Sequence, residues 1–445
     1  MDKGTIAITM IPVMLAVVMG LGVPFYSAIG GVALIYGLAF WGVSVIPIIA
    51  IRVYGFITEA VFIAVPMFVL MGTVFGSSGV AENLFLAIYK FFGPVRGGLT
   101  VAVGIICTLM AACTGIAAGP VATMGLIALP IMLRQKYEPG LACGCISACG
   151  TLGTIIPPSV LLILYGMNSD VSVGKLYMAA FIPGFVLSGC FLVYFVILGI
   201  VKPYDCPAAP PEERATNVGA ALKDLAINVV PVMALIFAVL GTIYLGIATA
   251  TEASGVGALG AVLISIIYRK FTWPTFKRAL IACYRTTAMI GGITIGANFF
   301  SSVFLKAGGG GATTNLLVGM GLSPIGIMWG CLFLNFLLGF VMNNLSIILI
   351  LVPIFNPMLT KMGVNPLWFA MLFNLMCQVA YLTPPFAPGV YLLKPLCPPE
   401  VELQSMYKGI IPFVILDFMA IFLVYFFPGL ATWLPSVLIR QAGGK

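Results

Sequence analysis

Histidine is absent from this chain and charge is scarce: its 445 residues contain no imidazole, and Asp, Glu, Lys and Arg together make up only 8%. The missing imidazole excludes Ser-His-Asp hydrolysis, HExxH metalloprotease chemistry and histidine-ligated haem together. Paired acids at catalytic spacing are missing too, which argues against a membrane-embedded enzyme. The scarcity of charge excludes an ordinary soluble domain, in which about a quarter of residues are charged. Nucleic acid is excluded as a partner: the net charge is +8, but the basic residues are spread along short loops and form no stripe.

What is present is apolar. Hydrophobic residues make up 61% of the chain and the mean hydropathy is +1.16. Runs of about 20 apolar residues recur from end to end, the length a helix needs to cross a hydrocarbon layer roughly 30 Å thick. The alternation of an outer-membrane barrel does not occur. The expected fold class is therefore an all-α polytopic membrane protein. The start, "MDKGTIAITMIPVMLAVVMGLGV", lacks an obvious small-residue cleavage site and reads as a retained first helix. Arg269, Lys270, Lys277, Arg278 and Arg285 form the densest basic group and mark a cytoplasmic loop. The cysteine group "CGCISAC" (Cys143, Cys145, Cys149) lacks the paired spacing of zinc sites and reads as small residues in close helix packing. "GVGALG", 255–260, matches G-x-G-x-x-G without the preceding strand that a dinucleotide site needs, and is read the same way.

Apolar segments fall near 5–22, 24–41, 58–76, 98–133, 140–166 and 178–201, then 225–247, 252–268, 281–304, 314–341, 344–358, 366–396 and 409–437. Between the two sets lies "KPYDCPAAPPEERATNVGAALK", 202–223, rich in proline and charge, which reads as a linker joining a first half, 1–201, to a second, 224–445. The halves resemble each other. Thr-Glu-Ala occurs at 58–60 and at 251–253, and "IPPS" at 156–159 is matched by "TPPF" at 383–386. Pro130 precedes Pro157 by 27 residues and Pro353 precedes Pro384 by 31; Gly115 precedes Pro157 by 42 and Asn343 precedes Pro384 by 41.

Repeated halves with matching interrupted segments point to the binding site of a secondary transporter. Non-helical backbone at membrane depth survives only where it lines a cavity or is covered by protein. Pro157 and Pro158 remove two amide donors and disfavour the helical conformation at Ile156, which frees carbonyls one turn back to bind a cation. Gly153, Ile156 and Pro158 with Thr151, Thr154 and Ser159 form one such break; Thr383, Pro384 and Pro385 form its counterpart. "ACTGIAAGPVAT" and "GFVMNNLSII" are the other matched pair, in which Thr114, Gly115, Asn343, Asn344 and Ser346 offer hard oxygens suited to Na⁺. Ser159, Asn344 and the segment "TIGANFFSS" with Asn298 could hydrogen-bond an anionic substrate. Glu59 and Glu252, following Thr58 and Thr251, read as first-turn acids behind threonine caps, with a place in the substrate or ion pathway as the other reading. Asp417 is a lone acid inside the last apolar segment and must pair with something, either in a proton or subunit contact or in a plain structural pair.

With these residues in hand the chain resembles the large membrane subunit of the TRAP transporters, the tripartite ATP-independent periplasmic importers. The likeness rests on "VPMFVLMGTVFGSSGV" (65–80), "GLIALPIMLRQKYEPG" (125–140), "GTLGTIIPPSVLLILYG" (150–166), "LYMAAFIPG" (176–184), "GIATATEASGVGALGA" (246–261), "LGFVMNNLSIILILVPIFNP" (338–357) and "YLTPPFAPGVYLL" (381–393). The resemblance implies an inverted-repeat, elevator-type transporter with two re-entrant helical hairpins and broken helices. It implies Na⁺-driven import of a small organic acid across the bacterial inner membrane, with a periplasmic substrate-binding protein and a separate small four-helix membrane subunit as partners. Family sodium sites fall at Thr114, Gly153, Ile156 and Pro158 in the first half and around Thr383 and Pro384 in the second. Two departures stand out: Thr114-Gly115-Ile116 replaces a common Ser-Gly-Ser, and Asn343 stands where many members have Asp. An elevator-type, ion-coupled carboxylate transporter that needs no binding protein is the alternative.

Overall fold

The computed structural model describes residues 3–23, 25–214, 217–319 and 321–443. Among the described residues there is no strand, and nine helices are long and apolar enough to cross a membrane. Lipid offers peptide groups no partners, so each apolar run must satisfy its own backbone as a helix. The runs read as interrupted resolve into pieces. Residues 98–133 form the helices Gly98–Thr114 and Ala118–Arg134; residues 140–166 form Pro139–Thr151, a single tight turn Leu152–Thr154, and Val160–Met167. The long helix Val173–Val201 follows. The second half repeats this order with Pro324–Leu338, Asn344–Lys361, Pro366–Leu382, Pro388–Leu393 and Leu403–Phe426.

The first pair of short helices is a hairpin whose open end is tied down. The amide of Gly97 donates to the Cys206 carbonyl at 3.0 Å and that of Glu138 to the Asp205 carbonyl at 3.1 Å, so both ends of the hairpin meet one stretch of chain. Tyr137 donates to the Pro207 carbonyl at 2.9 Å, and Glu213 accepts from Gln135 at 2.9 Å and from the Tyr89 hydroxyl. The Arg134–Glu213 ion pair at 2.8 Å adds little by itself, because its side chains are 65% and 32% exposed. The segment read as a linker is thus a docked strap up to Arg214, with Cys206 and Ala209 buried. The next helix, Val218–Tyr244, begins inside the range 202–223, where the Asn217 side chain accepts from the Gly219 amide at 2.8 Å.

Equivalent helices of the two halves pack against each other. Ala64–Ser77, which follows the first Thr-Glu-Ala, lies along Ala250–Ile267, which contains the second. A Cβ on Gly257 would meet the Met71 sulfur at 2.6 Å, which is why "GVGALG" is rich in glycine. Gly140 and Gly144 likewise face Gly409 on Leu403–Phe426. The small residues of "CGCISAC" serve that contact, and among the described residues no group of three or more His, Cys, Asp or Glu could hold a metal.

Two expectations are corrected. The helix Val80–Phe92 escapes a search for apolar runs because its outer face carries Glu82 and Lys90, while Val80, Leu84, Phe85 and Ile88 are buried at helical spacing. The basic group read as a loop is mostly helical: Trp273–Lys306 has 34 residues and includes Lys277, Arg278 and Arg285. At about 1.5 Å per residue such a helix exceeds the whole bilayer, so its first turns carry exposed charge beyond the hydrocarbon.

Candidate functional site

The two breaks of the first half meet. Gly115 ends its helix in the left-handed region at φ +64°, and a Cβ there would lie 2.6 Å from the Pro158 carbonyl oxygen. The Val160 amide donates to the Gly115 carbonyl at 3.0 Å. A Cβ on Gly153 would lie 3.0 Å from the Ile116 carbonyl oxygen. Glycine is needed at both points so that one main chain can touch the other. Among the described residues no donor is bonded to the carbonyl oxygens of Ile156, Pro157 or Pro158, although Ile156 and Ser159 are fully buried. Pro157–Pro158 and Pro384–Pro385 are both cis.

In the second half, Asn344 donates to the Cys377 carbonyl at 3.1 Å, and the Asn343 side chain caps the following helix by accepting from the Leu345 amide at 3.0 Å. The Thr383 hydroxyl donates to the Val379 carbonyl at 2.7 Å, as Thr114 does to the Ile116 carbonyl at 3.2 Å. A hydroxyl whose proton is engaged in this way keeps its lone pairs for a cation. Ser346 is fully buried, and its hydroxyl has no partner among the described residues. Neutral hydroxyl, amide and main-chain oxygens are a donor set that fits Na⁺, a hard ion of low charge, better than a divalent metal, which demands carboxylates.

Gln378 links the halves. The Thr154 hydroxyl donates to its Oε1 at 2.6 Å, and its Nε2 donates to the Thr151 hydroxyl at 2.6 Å. All three side chains are buried. Ser159 closes the same turn by donating to the Thr154 carbonyl at 2.7 Å. The sequence reading passed over Gln378. Its signal was an amide four residues after Asn374 in "FNLMCQVAY", two polar side chains on one face of an apolar helix.

A polar cavity of about 400 Å³ lies between Ile46–Ile57, Trp273–Lys306 and the helix with Pro353. Asn298, one of the expected substrate contacts, lines it together with Ser301, Ser302, Arg52 and Glu59. Arg52 was not anticipated; it is the cavity's cation. Thr251 and Glu252 lie outside this lining. The true cap is Thr249, whose hydroxyl accepts from the Glu252 amide at 3.3 Å while the Glu252 carboxylate accepts from the Thr249 amide at 2.8 Å. Thr251 instead reaches the Ala60 carbonyl at 3.4 Å. In the first half, Thr58 ends the preceding helix, and Glu59 makes no capping bond. The threonine-cap reading of 58 and 251 is therefore corrected.

Asp417 does not join either group. It is fully buried, and neither carboxyl oxygen has a hydrogen-bond partner among the described residues. A polar group buried in this way costs about 1–3 kcal/mol. Asp417→Leu, which matches its branched shape, should raise the melting temperature of the purified chain in detergent; a lower melting temperature would mean that the carboxyl has found a partner.

The chain is similar to known proteins over most of its length. The family model described as "Tripartite ATP-independent periplasmic transporter, DctM component" matches residues 12–430. The C4-dicarboxylate TRAP transporter large permease protein DctM of Pseudomonas aeruginosa is 28% identical over 88% of this chain and 90% of its own length. The ectoine TRAP transporter large permease protein TeaC of Halomonas elongata is 27% identical over 97% of this chain and 100% of its own. In fold alone, the chain is similar to the Neisseria gonorrhoeae efflux pump MtrF, with a TM-score of 0.60 at 15% identity, covering 85% of this chain and 83% of that one. The chain spans the membrane many times and belongs to the DctM component family of the tripartite ATP-independent periplasmic transporters.

Proposed function

We propose that this chain imports a small organic acid together with Na⁺ across the bacterial inner membrane, receiving its cargo from a periplasmic binding protein and working beside a small four-helix membrane subunit. The observation that carries the reading is the first double-proline break, which leaves the buried carbonyl oxygens of Ile156, Pro157 and Pro158 without donors and is joined through Gln378 to the helix that runs into the second. Thr114, Gly115, Gly153, Ile156 and Pro158 would hold one ion; Thr383, Pro384 and Ser346, with Asn343 at the helix start, would hold another. Bound Na⁺ would bring positive charge and the energy of its gradient to the site. Arg52 would draw an anion into the cavity, where Asn298 and Ser302 would orient it; Ser159 and Asn344 stand nearer the breaks.

The first and second hairpins would be re-entrant. Their short helices, 17 residues in Gly98–Thr114 and 15 in Pro324–Leu338, span at most about 26 Å, less than the hydrocarbon core. The helices from Tyr26 to Ile57 expose Ile35, Ile46, Ile51 and Tyr54, an apolar face suited to the small subunit in an elevator scaffold. The names of the relatives, one for C4-dicarboxylates and one for ectoine, support organic acids and similar small zwitterions as cargo. Reconstitution into liposomes with both partners, a sodium gradient and a panel of radiolabelled organic acids tests the reading. Uptake of at least one acid should require the gradient and the binding protein. Sodium-independent uptake would overturn the coupling, and uptake unchanged without the binding protein would favour the alternative transporter class.

A further inference from the structure

Two cysteines from opposite halves touch. The sulfurs of Cys143 and Cys397 stand 3.8 Å apart. Cys143 is buried in the first turns of Pro139–Thr151, and Cys397 follows the turn Lys394–Leu396, where it is partly exposed. Lys394 is held on the same turn by donating to the Val401 carbonyl. Contact with the Cys143 thiol, and secondarily the Lys394 ammonium, draws the Cys397 thiol below its ordinary value. An accessible thiol beside a cation, with a second thiol in reach, is the arrangement in which oxidation is selective. Cys107, Cys113, Cys331 and Cys377, by contrast, are sealed in the interior.

We propose that Cys397 and Cys143 form a peroxide-sensitive pair whose oxidation to a disulfide ties the two repeats together and slows transport. The Cys397 thiolate attacks one oxygen of hydrogen peroxide, the O–O bond breaks, and the sulfur becomes a sulfenic acid as the peroxide is reduced to hydroxide. The Cys143 sulfur then attacks the sulfenic sulfur. The S–O bond breaks, the departing hydroxide takes the Cys143 proton as water, and the S–S bond forms.

The tie would matter because of where it lies. Cys143 is on the helix that leads into the first double-proline break, and Cys397 closes the segment that leaves the second. Those segments already pack together: a Cβ on Gly389 would meet Thr151 at 3.2 Å. A covalent bond removes their freedom to part. Arg134, Lys136 and Lys202 lie close in sequence to the Glu138–Asp205 main-chain contact at the foot of this helix; by the positive-inside rule that would put this end on the cytoplasmic side, where thiols rest reduced. Oxidation there reports a peroxide load and is undone by cellular thiols.

The functional half of this proposal rests on the transport reading above; the chemical half does not. The full chain with its partner subunit in proteoliposomes is treated with hydrogen peroxide; one portion is digested and weighed, and the other is assayed for uptake with the binding protein and a sodium gradient. A peptide joining Cys143 to Cys397, two hydrogens lighter than the reduced pair, should dominate over every other cysteine product. More than half of uptake should be lost and should return with dithiothreitol. Cys397→Ser should keep uptake under peroxide, and Cys143→Ser should trap Cys397 as a dimedone adduct without a cross-link. Absence of the linked peptide from the wild-type chain overturns the pair, and its presence with unchanged uptake overturns the effect on transport. Absence of sodium-driven uptake before peroxide is added would instead count against the proposed function.

Discussion

Gly153→Leu should lower sodium-driven uptake by about 100-fold or more while leaving the chain inserted and folded. The reason is local. The new Cβ would stand 3.0 Å from the Ile116 carbonyl oxygen and 3.4 Å from the Ile116 nitrogen, and both belong to the backbone of the opposing break. Neither can swing aside as the tip of a side chain could, so the two breaks must separate. A displacement on the order of 1 Å at a binding or reacting centre costs about 10²-fold. The surrounding helices are held by their own internal bonds and by broad apolar contact, so the loss should fall on ion binding before stability. Gly115→Ala should show the same pattern, since its Cβ would meet the Pro158 oxygen at 2.6 Å and its φ of +64° disfavours any side chain. Sodium-dependent uptake at the wild-type rate in both variants would show that the contact between the breaks carries no ion site.

Much of this arrangement was legible in the sequence, because proline and glycine act on the main chain directly. Two prolines at 157–158 and two at 384–385 end a helix whatever surrounds them, so the breaks and their matched order could be read from the residues alone. The cap before Glu252 was misread as Thr251 although its signal was present: in "ATATEA" the spacing S/T-x-x-E selects Thr249, which is the cap in the structure. What could not be read depends on chain segments far apart. Proline and charge at 202–214 look like a free linker until Cys206 and Asp205 are seen to accept amides from Gly97 and Glu138. Arg52 gains its meaning only from Asn298 and Ser302, some 250 residues later, which line the same cavity. Helix Val80–Phe92 was missed for a different reason: periodicity was present, but a hydropathy threshold averages it away.

Gln378→Met should raise the sodium concentration needed for half-maximal uptake by about tenfold, a cost of about 1.4 kcal/mol. Methionine keeps the length and apolar stem of glutamine and removes both of its hydrogen-bonding atoms. The fold should tolerate the change. Thr151 can still donate to the Ala148 carbonyl at 2.8 Å and Thr154 to the Thr151 carbonyl at 2.9 Å, so neither hydroxyl proton is stranded. The stability loss should therefore stay within the net worth of the two deleted hydrogen bonds, about 1–3 kcal/mol. What disappears is the only side-chain tie, among the described hydrogen bonds, between the turn at Leu152–Thr154 and the helix ending at Thr383. If ion binding in one half is felt in the other through this amide, both the sodium dependence and its steepness must change together. If the curve keeps its midpoint and slope, the two breaks load independently, and the polar bridge serves packing alone.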